Sequence, residues 1–381
     1  MQVEAPKSTP NAGNPEPPPK NRQRLHSLDA LRGFCMLFGV FVHGYLLVLA
    51  FPQFQIFPET STYFRMATFF AVSGLLGSLV LSRQTTGTYI RGRLMAVLIP
   101  FASALVILNP VTLWMMDSYR GGDASLLEAV QSSMQSDREN IKVVWHLHLW
   151  FLLSLAVFAL LAPLIRRGLT RSTSVVERTL GAINPTLRGF AVAALVTGVG
   201  LAMRVLGEVV APWMYDAWLL RATLIYLPFF VLGIAIERVP SLRALTRSAN
   251  LPLTGVAIAL ILAVEFVEIP LPENAVRLVG LSVLFFANTS AVLLLMSLFE
   301  RVLSTKNRLV ELVVQSIYTI YLFHFLLLFV LGSGLRSLGL DGAVLFWATT
   351  LGTISVGFAL HHMVITRFRM LTFLFNGKRL A

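Results

Sequence analysis

The chain has 381 residues, of which 56% are hydrophobic and only 13% charged, about half the roughly 25% charge of a soluble globular domain. With a mean hydropathy of +0.72, this composition excludes an ordinary soluble enzyme. The net charge of +12 does not mark a nucleic-acid binder, because the basic residues sit in short connections between apolar runs, as they do in the inner loops of membrane proteins.

In chain order, residues 1–27 come first. Met1 to Asn21 are rich in Pro, Asn and charge and lack the apolar stretch of a cleavable signal, so the segment reads as a disordered cytoplasmic tail. From Leu28 to Ile365 apolar runs recur, each near the roughly 20 residues a helix needs to cross about 30 Å of hydrocarbon. The alternating pattern of a membrane barrel is absent. The expected fold is therefore all-α, a polytopic membrane bundle of about ten transmembrane helices at 29–50, 63–82, 92–114, 148–165, 189–210, 219–237, 252–270, 277–299, 310–332 and 343–365. With the N-terminus inside, the inner segments hold 22 Lys and Arg and the outer ones 7, which places both termini in the cytoplasm. Residues 28–366 then form one membrane domain and 367–381 a basic cytoplasmic tail. The longest outer connection, about 115–147, carries Asp117, Asp123, Glu128, Asp137 and Glu139 and is polar enough for a short surface helix or a lid. No internal repeat supports an inverted-repeat transporter. Any chemistry belongs inside the bundle or at its faces.

The first span carries Arg32 and His43, eleven positions apart with ten residues between them. On a helix that separation is about 16 Å of rise and close to three whole turns, so both side chains share one face. Ionisable groups in a span are costly unless paired or hydrated and are functional candidates by default. His suits a base that takes and returns a hydroxyl proton, and Arg suits a phosphate or carboxylate; a packing histidine and an anchoring arginine are the plain alternatives. Cys35, the single cysteine, reads as a small buried apolar residue. Arg65 opens the second span and either lines an outer mouth or snorkels to the interface. Arg91 and Arg93 either hold the phosphates of a nucleotide-bearing donor or serve as ordinary inner-loop charge. His146 and His148 lie at i and i+2, which does not share a helix face, so no metal site is expected from them. Trp150 belongs to an interfacial aromatic belt. His148 and His324, near the depth of His43, would complete a shared cavity, whereas His361 and His362 read as interfacial.

The arginine, ten residues, histidine pattern of the first span resembles the membrane acyltransferase-3 family. Phe64-Arg65-Met66 with Phe69-Phe70 and Ser73-Gly74, then His148-Leu149-Trp150-Phe151-Leu152, Tyr226-Leu227-Pro228-Phe229-Phe230 with Leu232-Gly233, Tyr321-Leu322 with His324, and Phe373-Leu374-Phe375 with Gly377-Lys378 narrow the resemblance to the branch that modifies osmoregulated periplasmic glucans. The resemblance runs from about Leu28 to Lys378. It implies a catalytic His43 with Arg32 as its partner and Arg91 and Arg93 on the donor side. Arg65, His148, Trp150 and His324 fall on the acceptor side or cavity. The wider family often carries an acid after the Leu-Trp segment of the fourth span; Leu152 to Ala159 contain none.

The resemblance further implies a bacterial inner-membrane acyltransferase with no bound cofactor. It would use acyl-CoA, succinyl-CoA above all, as donor substrate. Its partners would be periplasmic glucan, the bilayer and other glucan-synthesis proteins, with no nucleic acid. His43 would act either as a base on a glucan hydroxyl or as a covalent acyl carrier. A glycan or lipid-linked sugar transporter, and a same-family enzyme acting on another cell-surface glycan, are the rival readings.

Overall fold

In hydrocarbon every backbone N–H and C=O must be satisfied within the protein, which leaves long apolar segments the choice of helix or closed barrel. The computed structural model describes residues 20–134, 145–214, 216–248, 250–267, 270–303, 305 and 307–377, and among these there is no strand. The helices are α1 (Lys20–Gly44), α2 (Ile56–Thr62), α3 (Arg65–Leu81), α4 (Thr86–Ser103), α5 (Asn109–Tyr119), α6 (Leu126–Met134), α7 (Trp150–Ala182), α8 (Pro185–Val210), α9 (Ala217–Arg238), α10 (Pro240–Leu245), α11 (Leu251–Phe266), α12 (Glu273–Val302), α13 (Arg308–Ser337), α14 (Gly342–Leu360) and α15 (Arg369–Asn376).

Among the described residues, nine helical stretches are long and apolar enough to cross a membrane, so the chain is an all-α polytopic bundle. Nine of the ten expected spans match them. The seventh is α11, apolar but only 16 residues long, about 24 Å. Several boundaries differ from the sequence reading. Residues 20–27, read as tail, already belong to α1, and that helix closes at Gly44 rather than at 50, passing into short 3-10 turns at Tyr45–Leu47 and Pro52–Gln55. α7 carries Pro163 in its interior and continues well past 165 to Ala182, with no further proline until Pro185. Arg166, Arg167, Arg171 and Arg178 therefore stand on a helix rather than in a loop. The segment read as a basic tail folds back as α15, which packs against α4 and α13. Residues 1–19 and 378–381 lie outside the described residues.

The connection read as a surface helix or lid contains α6. Ser125 and Glu128 cap it reciprocally, with the Ser125 N–H donating to Glu128 Oε2 at 2.8 Å and the Glu128 N–H to Ser125 Oγ at 3.4 Å, a capping box. Asp137 and Glu139 fall outside the described residues.

α1 packs against α3, α12, α13 and α14. The tightest approach is between α3 and α9. A Cβ on Gly74 would collide with the Phe230 carbonyl, and one on Gly233 with the Ala71 carbonyl, so two glycines face each other where the backbones nearly touch. Pro100 inside α4 frees the carbonyl of Ala96, and Tyr318 OH of α13 donates to it at 3.1 Å. α4 then passes through a π turn at Ala104–Leu108. A second π turn, His361–Ile365, ends α14 and turns His361 inward, where its Nδ1 lies 2.8 Å from Thr319 Oγ1. His361 is thus buried within the bundle.

Candidate active site

Two cavities lie in series along α1. The first, about 240 Å³, is lined by Asp29, Arg32, Tyr89, Arg93, Tyr318 and Asn376, with Gly33, Met36, Phe69 and Phe151 among its walls. Arg32 pairs with Asp29 one turn earlier at 3.5 Å. The Arg93 guanidinium lies 5.7 Å from the Tyr89 ring centre, a cation–π distance. Arg93 is half-buried and Arg91 exposed: two residues apart on α4, they point to different sides, so the structure brings Arg93 to the cavity and not Arg91.

The second cavity, about 30 Å³, is lined by Cys35, Gly39, His43, Arg65, His148, Trp150, Tyr321 and His324, and shares the walls Met36, Phe69 and Phe151 with the first. Five residues expected from the sequence, His43, Arg65, His148, Trp150 and His324, thus meet in one place. The His43 ring centre stands 5.3 Å from His324 and 6.4 Å from His148, and His148 and His324 are 4.7 Å apart. Phe325 closes one side, edge-on to His43 at 4.8 Å and stacked on His148 at 5.0 Å.

The backbone holds the His324 ring. His324 Nδ1 lies 2.5 Å from the Tyr321 carbonyl. A carbonyl only accepts, so Nδ1 carries the hydrogen and Nε2 offers a lone pair. That Nε2 and both ring nitrogens of His148 have no protein partner, although the two residues are only 3% and 6% exposed. Tyr321 OH donates to the His148 carbonyl at 2.8 Å, tying α13 to the start of α7. Arg65 extends inward, its Nε donating to Ser61 Oγ at 2.7 Å. It passes Gly39 so closely that a Cβ there would lie 2.5 Å from Nη1. Arg65 is therefore a cavity cation rather than a snorkelling one.

Leu147 adopts a left-handed φ of 46°, and the histidines on either side of it are both buried but face different sites, as their i and i+2 spacing implies. His146, fully buried, sits outside the cavity and donates from Nε2 to Asp216 Oδ2 at 2.9 Å. Burial opposes ionisation of Asp216, but the bonds from His146 and from the Leu219 N–H outweigh it and hold the carboxyl below its usual range. Trp150 stacks near Tyr226 at 5.9 Å and meets Trp218 edge-on at 5.3 Å. Among the described residues no group of three or more His, Cys, Asp or Glu is arranged to hold a metal ion.

Sequence reasoning missed Asp29, Tyr89, Tyr318 and Asn376 in the first cavity and gave Tyr321 no role. Asp29 was recoverable from its i,i+3 spacing to Arg32, and Tyr321 from the same spacing to His324. Asn376 carries no local signal, because only the return of α15 brings it there.

No solved structure matches the chain. The glucans biosynthesis protein C of Escherichia coli strain K12 is 28% identical over 244 residues, 60% of this chain and 62% of that protein. Those of strain SMS-3-5 and of O1:K1 are similar to the same extent. The chain thus matches less than two thirds of the length of these relatives. A family profile described as an acyltransferase domain matches residues 25–362, a stretch that contains Arg32, His43 and every residue of the second cavity. With that match over most of its length, the chain belongs to the acyltransferase-3 family of multi-pass membrane acyltransferases.

Proposed function

We propose that this acyltransferase moves an acyl group, succinyl in the first instance, from cytoplasmic acyl-CoA to hydroxyls of periplasmic glucan across the bacterial inner membrane. The observation that carries the reading is the serial arrangement of the two cavities: a cation-lined chamber is separated from the histidine cluster only by the side chains of Met36, Phe69 and Phe151. The relatives' name supplies the glucan acceptor. The inner-side assignment of the Arg93 end follows from the 22 to 7 distribution of basic residues.

In this account Arg93 and Arg32 hold the phosphates and arm of CoA, with Tyr318 and Asn376 on the chamber wall. Displacement of Met36, an unbranched and adaptable side chain, lets the thioester reach His43. By the base route, His43 takes the hydroxyl proton as the sugar oxygen attacks the thioester carbonyl. The tetrahedral intermediate expels the CoA thiolate, which recovers the proton from the imidazolium, leaving ester and thiol. By the relay route, the imidazole attacks first and expels the thiolate, which takes up the proton the acylated ring loses; the hydroxyl then takes the acyl group from the ring nitrogen and gives its proton back to the ring. Arg65 faces the carbonyl oxygen as its charge develops, Trp150 offers a stacking face to sugar, and His148 and His324 orient His43. The apolar walls exclude water from the thioester.

The test uses the full chain in sealed vesicles, with labelled acyl-CoA on one side and a gluco-oligosaccharide on the other. Wild type is expected to deliver label across the bilayer. Arg93→Ala should raise the KM for acyl-CoA about tenfold, the scale of one charge-assisted contact, and Arg91→Ala should change it little. Transfer that needs donor and acceptor on the same side, or equal effects of the two arginines, would contradict the reading.

A further inference from the structure

A third cavity, about 810 Å³, lies at the end of the bundle away from Arg93 and belongs to neither cavity described above. Its size falls within the range of ligand sites, roughly 300–1,000 Å³. It forms where the ends of α1, α5 and α13 meet the start of α14, and Arg120, Arg336, Asp341 and Ser337 line it.

We infer that this cleft is a docking subsite for the polymeric, polyhydroxylated acceptor, holding sugar rings that are not themselves reacting. Three observations carry this. The cleft is built rather than incidental: the Arg336 guanidinium lies 5.0 Å from the Tyr119 ring centre, and Tyr119 OH is anchored to the Leu47 carbonyl at 2.8 Å. The Arg336 head is thereby preorganised at modest entropy cost. Its chemistry is mixed: Arg336 and Asp341 line one cleft without forming an ion pair. The site thus offers donors and acceptors together, which matches vicinal hydroxyls, whereas a carboxylate opposes a phosphate headgroup. Its position couples it to the chemistry: Leu46 lines the cleft and follows His43 by three residues on one helical run, about one turn away. A chain seated in the cleft can present a neighbouring ring toward His43.

The inference rests on the glucan acceptor reading, and binding separates the two. Binding of a disaccharide and an octasaccharide of glucose to the full chain is measured by calorimetry in phosphatidylcholine nanodiscs, with His43→Ala as background to remove turnover. The octasaccharide should bind more tightly than the disaccharide. Arg336→Ala and Asp341→Asn, the second nearly isosteric, should each weaken octasaccharide binding about tenfold and remove its advantage. Equal length dependence in variants and background would overturn the subsite, even where wild type transfers acyl groups. Loss of binding only when phosphatidylglycerol is added would identify a lipid-headgroup site and overturn it as well. Length-dependent binding that both variants abolish would uphold the subsite even if no acyl transfer to glucan were found, in which case the function reading alone falls.

Discussion

At the scale of single residues, the site is a set of three histidines with no carboxylate in the cavity lining, and a backbone carbonyl orients one of them, His324. Tyr321 serves two of them at once: its carbonyl receives His324 Nδ1 and its hydroxyl donates to the His148 carbonyl. Tyr321→Phe keeps the ring and removes one donor, leaving a buried carbonyl unsatisfied at a cost of about 1–3 kcal/mol. The variant is expected to insert normally and to lose about tenfold in kcat, equivalent to about 1.4 kcal/mol, with little change in the KM for acyl-CoA. An unchanged kcat in steady-state kinetics would assign Tyr321 to packing alone. Arg32 and His43 were legible because helical spacing needs no knowledge of the fold. Their division between two cavities was not, since Met36, which separates them, reads in sequence as ordinary lipid-soluble bulk. Arg65 was legible as a candidate; its inward direction depends on the missing Cβ of Gly39 on another helix.

At the scale of elements, two close approaches decide whether the bundle assembles. Gly74 and Gly233 let α3 and α9 meet backbone to backbone. Gly233→Ala puts a methyl into the Ala71 carbonyl and should destabilise the protein by about 1–3 kcal/mol, as overpacking does. A lower melting temperature by fluorescence-detected size exclusion would bear this out, and a wild-type profile would not. At the start of α7 and α9, the His146–Asp216 bond joins two helices across 70 positions. Asp216 has its pKa lowered in the folded chain, so its contribution is fully present above the unfolded carboxylate value of about 3.9 and is lost as pH falls through the lower folded value. The melting-temperature gap between wild type and Asp216→Asn should therefore shrink as pH is brought down through about 3.9; a constant gap would show that ionisation of Asp216 does not matter. Most spans were readable from apolar length. The extension of α7 was not, because hydropathy ends at Arg166 while helix-forming residues continue. α15 was not either, because its apolar face shows only against α4 and α13.

At the scale of the whole molecule, the chain is a bundle whose first helix runs past both cavities and ends beside the outermost cleft. The pattern of apolar runs made the fold class legible, and the basic residues provided an orientation. Similar depth along the first, fourth and ninth spans pointed to a cavity shared by three histidines, but which rings touch and what orients them were not legible, since that depends on contacts far apart in sequence. The central claim is that His43 sits where acyl group and glucan meet. The most direct measurement is mass spectrometry of periplasmic glucans from a strain lacking the gene, complemented with wild type or with His43→Ala. The account predicts an added acyl mass, that of succinyl, with wild type only, at equal levels of protein in the membrane. The same acyl mass with His43→Ala, or glucans of identical mass in all three strains, would contradict it.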